Sequence, residues 1–139
     1  MRALSWLIDK SALWRTSHSA VNDAVQRRVE RGLVGISIAT ELEIGFSAES
    51  VQGYQTMRER LVNRLIPVPL PFRAEGRARE VQARLVERGQ HRAVSVPDLL
   101  IAATAETEGL TVLHYDSDFD LIAEITGQPC EWIVPRGSL

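Results

Sequence analysis

Acidic residues stand at the ends of predicted elements, where their carboxylates could act together. Asp9 directly follows an apolar run that is typical of a buried strand, and Asp116 lies just past another. Glu43 and Asp98 fall in the first turns of two predicted helices. Four gathered carboxylates would repel one another and stay protonated unless a cation neutralised them, and oxygen-only ligands favour Mg²⁺ or Mn²⁺ over zinc. The sequence therefore predicts a divalent-metal site if the fold brings these four residues together.

Local helix stability offers a second explanation for three of these acids. Thr40 with Glu43 fits the capping-box pattern, in which a hydroxyl and an acid three residues later satisfy free backbone N–H groups at a helix start. Ser95 with Asp98 fits the same pattern. Asp116 suits the N-cap position of the helix that follows it. For these three residues the structural and the functional interpretation both stand.

Asp9 differs from the other acids because it closes a buried apolar strand. A carboxylate in that position has a desolvation cost, and the sequence offers it no obvious local partner. We therefore predict a functional role for Asp9. Ser11 is predicted to cap the following helix and to offer its hydroxyl near the ion.

The elements that must position these acids alternate along the chain. Strands that alternate with helices imply a parallel sheet with helices on both faces, and ligands bind beyond the carboxyl ends of such strands. Because proline cannot donate a ladder hydrogen bond, Pro67 and Pro69 place their strand at an edge or make it very short. The predicted strands cover residues 4–8, 33–37, 66–70, 110–114 and 131–134, and the predicted helices cover 19–31, a short segment from 40, 50–65, 72–88, 97–108 and 117–126.

Length and composition bound the possible classes of protein. The 139 residues, 45% of them hydrophobic, suit one domain that spans residues 1–139. Cys130 is the only cysteine, which excludes an internal disulfide and a cysteine-based zinc site. No apolar run approaches the roughly 20 residues of a membrane span, and the beginning of the chain lacks the pattern of a signal peptide. We therefore expect a cytoplasmic protein with no membrane association.

Charge is segregated along the chain although the net charge is only -2. Residues 58–92 contain nine arginines against four acids, whereas residues 93–135 contain eight acids and no lysine or arginine. This division suits a molecule that binds phosphates on one surface and cations at another. The alternative is that the arginines pair with neighbouring glutamates on solvent-facing helices.

Four segments of the sequence resemble the acidic motifs of VapC toxins, the PIN-domain ribonucleases of bacterial toxin–antitoxin pairs. The order and spacing of the motifs match as well, and the resemblance covers essentially the whole chain. It implies a PIN-like three-layer α/β/α sandwich with a central, mainly parallel sheet. The segments are LSWLIDKSALW at residues 4–14, ISIATELEIGFSA at 36–48, VPDLLIAATAE at 96–106 and TVLHYDSDFDLIAEITG at 111–127.

The resemblance also assigns roles to individual residues. One placement needs a choice, because Glu41 followed by Gly45 superficially satisfies a pattern seen in many relatives. Counting from Ser37 and Thr40 places the functional acid at Glu43 instead, so that Glu41 points elsewhere. The resemblance thus makes Asp9, Glu43, Asp98 and Asp116 the catalytic and metal-binding quartet, with Ser11 and Asp118 as accessory residues.

The activity and the partners that follow from the resemblance are those of a type II toxin. It implies a Mg²⁺-dependent endoribonuclease, with Mn²⁺ as the alternative ion, that cleaves structured transfer or ribosomal RNA. A VapB-type antitoxin is expected to mask the groove and to insert a basic side chain among the carboxylates. Toxin homodimerisation is expected too, and the apolar stripe of residues 50–65 is either a contact surface or ordinary core.

Other function classes fit the sequence less well. A receiver-like phosphoacceptor domain also gathers acids at strand ends, but it needs a lysine near a late strand, and no lysine follows Lys10. A phosphohydrolase with an Asp-x-Asp motif fails because Asp9-Lys10-Ser11 lacks the second acid. The remaining alternative is a PIN-like domain that binds RNA or a partner without cleaving.

Overall fold

Strands and helices alternate along the chain, as the hydrophobic periodicity predicts. A computed structural model describes residues 4–139, and the first three residues of the predicted domain lie outside the described residues. The strands of this part are β1 (Trp6–Ile8), β2 (Val34–Ser37), β3 (Ile66–Val68), β4 (Thr111–His114) and β5 (Cys130–Trp132). Its α-helices are α1 (Lys10–Leu13), α2 (Ser19–Glu30), α3 (Ile38–Phe46), α4 (Val51–Arg60), α5 (Phe72–Glu87), α6 (Val96–Glu108) and α7 (Asp118–Thr126).

These strands form one sheet in the order β3-β2-β1-β4-β5, and every pairing in it is parallel. The central strand β1 pairs with β2 on one side, where Trp6 is in register with Val34. On its other side it pairs with β4, where Ile8 is in register with Leu113. The carboxyl ends of β1 and β4 therefore lie at the same edge of the sheet, although more than a hundred positions separate them in sequence. The predicted parallel sheet is confirmed.

The sheet separates two apolar cores, because successive side chains of a strand point to opposite faces. Leu7 and Val112 belong to one core together with buried residues of α5, α6 and α7. Ile8 and Leu113, their neighbours along the strands, belong to the other core with α1, α2 and α3. The largest fully buried side chain is that of Phe119, whose burial stabilises the fold by roughly 1.5–3 kcal/mol. Helices thus cover both faces, which makes three layers.

Strand β3 lies at the edge of the sheet, where its prolines predicted it. Only three residues long, it pairs with β2, and the Cα atom of Pro67 is in register with that of Ile36. Gly35 of β2 lets the Val68 side chain of β3 pack against the β2 backbone, because a Cβ atom at Gly35 would lie 2.6 Å from Cγ2 of Val68. Proline would remove a hydrogen bond from a central strand, so an edge position is the one that tolerates it.

Helix α3 begins earlier than the sequence predicts. The prediction that Thr40 opens the helix is wrong, because Ser37 is the N-cap and its hydroxyl accepts the N–H of Thr40 at 3.2 Å. The chain enters α3 directly from β2, so Glu43 lies in the second turn rather than the first. The capping-box explanation of Glu43 is therefore excluded.

The predicted helix at residues 50–65 is also shorter than expected. Helix α4 ends at Arg60, and a 3₁₀ turn at Val62–Arg64 follows it. The apolar stripe divides at this point, because α4 itself has no buried residue whereas Val62 and Leu65 are buried.

Within residues 4–139, no helix combines the length and the apolarity needed to cross a bilayer.

Candidate metal centre

Asp9 is fully buried at the carboxyl end of β1 and begins α1 as its N-cap. Its Oδ2 accepts the backbone N–H of Ser11 at 3.0 Å, and its own N–H donates to the carbonyl of Leu113 at 2.9 Å. The expectation that Asp9 lacks a local partner is therefore wrong, as is the prediction that Ser11 caps the helix. The hydroxyl of Ser11 instead accepts the N–H of Tyr115 at 2.9 Å, which ties α1 to the end of β4.

Asp98, Asp116 and Asp118 form the tightest acidic cluster among residues 4–139. Each offers one carboxylate oxygen, and these atoms lie within 4.8 Å of one another. Asp116 follows β4, Asp118 opens α7, and Asp98 lies in the first turn of α6 with only 2% of its surface exposed. The topology thus joins two segments of the chain, and Asp118, which the sequence ranks as accessory, belongs to the closest group.

Helix α6 has its predicted cap at Ser95, whereas the N-cap of α7 is Ser117 rather than Asp116. The hydroxyl of Ser95 accepts the N–H of Asp98 at 3.2 Å, so this cap uses the backbone of Asp98 and not its side chain. Oδ1 of Asp116 accepts the N–H of Asp118 at 2.9 Å. The predicted capping-box role of the Asp98 carboxylate and the predicted N-cap position of Asp116 are therefore both wrong, and these side chains remain available for metal binding.

Burial and neighbouring charges make Asp98 and Asp9 hard to ionise without a cation. Burial, the charge of Asp9, and the hydrogen bond with Asp118 raise the pKa of Asp98 to about 8. Burial also raises the pKa of Asp9, against the hydrogen bonds from Ser11, and the charges of Glu43 and Asp116 raise it further. Asp9 thus lies close enough to Asp98 to act on it electrostatically, and Glu43 acts in the same way on Asp9.

Three buried carboxylate oxygens have no hydrogen-bond partner within residues 4–139. They are Oδ1 of Asp9, Oδ1 of Asp98 and Oε1 of Glu43. An unsatisfied buried acceptor costs about 1–3 kcal/mol, and more when it is charged. A hard divalent cation would satisfy such oxygens and offset their mutual repulsion, so the residues present fit an ion of this class.

Glu43 pairs with Lys10, which itself lies near Asp9 and Asp98. Glu41 forms its ion pair elsewhere. The Lys10 ammonium forms an ion pair with Oε2 of Glu43 at 2.5 Å, and this hydrogen bond raises the pKa of Lys10. Glu41 pairs instead with Arg58 at 3.0 Å, on the side of α4. The geometry agrees with the choice of Glu43 over Glu41. Lys10 has no predicted role in the site, although its position directly after Asp9 was a usable signal.

His114 contacts the backbone of Asp116 but is not one of the acidic cluster's three ligand residues. Its ring is fully buried against Phe119 and Trp132, with centroids 4.9 and 5.0 Å away. Burial lowers its pKa to about 4, and Nδ1 accepts the N–H of Asp116 at 3.1 Å. His114 is thus a neutral imidazole that supports the turn after β4.

Two of the four arginines within α5 pair with acids, and so does Arg88, just past its end. Arg77 contacts Glu106 at 2.5 Å and Glu80 at 3.0 Å. Arg88 contacts Glu124 at 2.8 Å. Glu80 lies on α5 itself, as the alternative to phosphate binding predicts, whereas Glu106 and Glu124 lie on α6 and α7.

A ridge formed by Lys10 and Trp14 separates two hollows beside the acidic cluster. The ammonium of Lys10 lies 5.2 Å from the centroid of the Trp14 ring, and half of the Trp14 surface is exposed. On one side, an apolar hollow of about 660 Å³ reaches Glu43. On the other, a polar cleft of about 570 Å³ reaches Asp116. We refer to these as the apolar hollow and the polar cleft.

The metal-free protein should lose stability as the pH rises from about 6.5 to about 8. The folded pKa of Asp98, about 8, lies above its ordinary value of 3.8, so the folded state retains a proton that the unfolded state has released. Its contribution to stability is complete below the ordinary pKa and is lost as the pH rises through 8. Asp9 acts in the same direction. His114 opposes this trend only below its ordinary pKa of 6.5, where the unfolded state gains a proton first.

Urea unfolding in EDTA at several pH values between these limits measures the effect. Asp98→Asn should flatten the dependence of the free energy of unfolding on pH, and a divalent cation should flatten it in the parent protein. Equal slopes for the parent protein and Asp98→Asn would show that Asp98 ionises normally.

The sequence matches the family model described as PIN domain over residues 3–125. It is 52% identical over 134 residues to Ribonuclease VapC2 of Mycobacterium tuberculosis, which covers 94% of each chain. Ribonuclease VapC51 of the same organism is 44% identical over 137 residues, covering 99% of this chain and 98% of that protein.

Similar solved structures extend the comparison to the fold. DNA-bound VapBC from Salmonella typhimurium superposes with a TM-score of 0.78 at 18% identity, covering 94% of this chain and 99% of that chain. VapBC2 from Rickettsia felis, bound to a promoter DNA fragment, gives a TM-score of 0.77 at 15% identity, covering 93% and 99%. At such low identity, these two structures establish a shared three-layer α/β fold.

Proposed function

The chain belongs to the PIN-domain family, and from this premise we propose that it is a metal-dependent endoribonuclease, the toxin of a type II toxin–antitoxin system. The observation that carries the proposal is the cluster of buried carboxylates at the carboxyl edge of the sheet, with three unpartnered oxygens among residues 4–139. Relatives along nearly the whole chain are named ribonucleases, which supports RNA as the substrate. We propose that the RNA is structured transfer or ribosomal RNA.

A Mg²⁺ or Mn²⁺ ion suits the donors of this cluster. Asp98, Asp116 and Asp118 would hold the ion through carboxylate oxygens, and Asp9 and Glu43 would add theirs. Hard cations of this type prefer oxygen ligands. When bound, the ion supplies Lewis acidity, which lowers the pKa of an attacking water and withdraws charge from the phosphoryl group.

The roles of the individual residues follow from their contacts. We assign catalysis to Asp9, Glu43, Asp98 and Asp116. Ser11 orients Asp9 through its N–H and anchors the turn after β4 through its hydroxyl. Lys10 occupies one oxygen of Glu43, which leaves the other to bind the ion or to accept a proton.

A VapB-type antitoxin would inhibit the protein by covering this edge of the sheet. The apolar hollow exposes Leu42, Phe46 and Val96, with 66%, 92% and 64% of their surfaces accessible. Such side chains suit the apolar face of a partner helix, and the adjacent carboxylates suit a basic side chain of the same partner. Structural relatives named VapBC support a toxin–antitoxin pair.

The protein's assembly and location belong to the same proposal. We propose that residues 1–139 act as one domain and that the toxin forms a homodimer in the cytoplasm. Helix α4 supports self-association, because Val51 and Tyr54 expose 73% and 40% of their surfaces. Apolar side chains at this exposure gain free energy when a second copy covers them.

Brief induction in a bacterial host tests the function directly. The intact protein should arrest growth and create new RNA ends at a defined position, whereas Asp9→Asn should do neither. Co-expression of the cognate partner should restore growth. Sequencing of RNA 5′ ends after induction measures the cleavage. Growth arrest by both proteins without new ends would favour a PIN-like domain that binds without cleaving.

A further inference from the structure

The polar cleft holds aromatic and basic side chains beside the acidic cluster. Ser11 and Asp116 line it on the side of the cluster, and Arg15, Tyr115 and Trp132 line it farther out. Trp14 forms its border with the apolar hollow. At about 570 Å³ the cleft lies in the range of roughly 300–1,000 Å³ that small-molecule sites occupy. It is therefore large enough to receive one nucleotide of a polymer.

Arg15 is a cation without an acidic partner in the part of the chain that the structure describes. No carboxylate of residues 4–139 forms an ion pair with it, although acids crowd the neighbouring cluster. Its Nη1 donates to the carbonyl of Ser11 at 2.7 Å, and its guanidinium stacks 4.8 Å from the centroid of the Tyr115 ring. Arg136, at the opposite wall, pairs with Asp120 at 3.5 Å. Among the cations that line this cleft, Arg15 is thus the one whose charge is not compensated by a carboxylate, so it can attract an anionic ligand.

The contacts of Arg15 also hold it in place relative to the acidic cluster. The carbonyl that it contacts belongs to Ser11, whose N–H binds the carboxylate of Asp9. Tyr115, on which the guanidinium stacks, directly precedes Asp116. A guanidinium has five N–H donors in a fixed plane, and this contact uses one of them. The others can bind a phosphate whose position is fixed relative to the acids.

Trp14 offers a flat apolar surface at the mouth of the same cleft. Half of its surface is exposed, whereas Tyr115 and Trp132 are partly buried and pack edge to face with centroids 5.2 Å apart. An unpaired RNA base stacks well on such a ring, and stacking of this kind contributes about 1–3 kcal/mol per base. The ammonium of Lys10, which is paired with Glu43, lies 5.2 Å from the centroid of this ring.

We propose that the polar cleft binds the nucleotide next to the scissile bond of an RNA substrate, with Arg15 on its phosphate and Trp14 stacked on its unpaired base. This inference rests on the proposed ribonuclease function and adds to it a substrate-binding subsite outside the acidic motifs. It assigns the positioning of this nucleotide to Arg15 and Trp14.

Steady-state cleavage of an end-labelled RNA hairpin tests the subsite, with the hairpin carrying the cleavage position mapped in cells. Arg15→Gln should lower kcat/KM by about tenfold, mostly through KM, and should reduce the slope of log kcat/KM against log salt by about 0.7, the value for one phosphate on a single strand. Arg15→Lys should retain that slope. Trp14→Ala should lower kcat/KM by about tenfold or more, with Trp14→Phe partly active.

Arg79→Gln is the matched control, because it removes one positive charge from an exposed position on α5. Thermal melting of each variant checks that the fold is retained. If the parent protein cleaves RNA and Arg15→Gln keeps the KM and salt slope of Arg79→Gln, the subsite is wrong while the ribonuclease function stands. If the parent protein cleaves no RNA, the proposed function fails and the subsite fails with it.

Discussion

Asp98→Asn should lower metal-dependent RNA cleavage on the order of a thousandfold or more while the fold stays intact. Asp98 is 2% exposed, and its pKa rises because of burial and because of the charges of Asp9 and Asp116. The amide has nearly the same shape as the carboxylate but carries no negative charge, so it binds a divalent cation poorly. Initial rates on the RNA hairpin at saturating Mg²⁺ measure the loss.

The same substitution should raise the melting temperature in EDTA at neutral pH by about 3 °C or more, because it removes a buried carboxyl group that must keep a proton which the unfolded state releases. Activity and stability then change in opposite directions, which distinguishes a lost metal ligand from a damaged fold. Asp23→Asn makes the same chemical change at an exposed position of α2 and should leave both quantities unaltered. Cleavage by Asp98→Asn at the parental rate would remove Asp98 from the proposed site.

Glu43→Gln should lower the cleavage rate about a hundredfold, whereas Glu41→Gln should change it by less than about twofold. Both residues lie on α3, both are glutamates, and both form an ion pair, with Lys10 and Arg58 respectively. Only Glu43 has a buried oxygen without a partner among residues 4–139, and only Glu43 acts on the pKa of Asp9. Cleavage assays on the two variants under the same conditions compare them directly.

The pair of variants also tests the boundary of α3, because the helix start decides which glutamate faces the cluster. Equal losses in the two variants would indicate that negative charge on this helix matters more than its position. A larger loss in Glu41→Gln would mean that the functional acid of the second motif is Glu41, two residues before the position assigned to it.

The parallel sheet and the location of the site were predictable because both depend on hydrophobic patterning. Apolar runs alternate with helical segments, and an acid follows each of two buried strands. Parallel pairing of β1 with β4 then brings the residues after Ile8 and His114 to one edge. Pro67 marked the edge strand for a similar reason, since its missing N–H is tolerated there.

Details that depend on contacts between distant segments were not predictable from local patterns. Thr40 and Glu43 have the spacing of a capping box, yet Ser37 takes the cap because the chain enters α3 straight from β2. The ion pair of Lys10 with Glu43 joins residues 33 positions apart. Arg15 stacks on a ring a hundred positions away, which a local pattern does not encode.

The outer border of β3 limits how these molecules can associate. Pro67 takes one N–H donor out of a three-residue strand, and Pro69 stands just beyond its end. A strand from another molecule would find an interrupted ladder there, so sheet extension and amyloid-like stacking are disfavoured on that side. This border thus protects the folded protein from edge-to-edge precipitation on one side of its sheet.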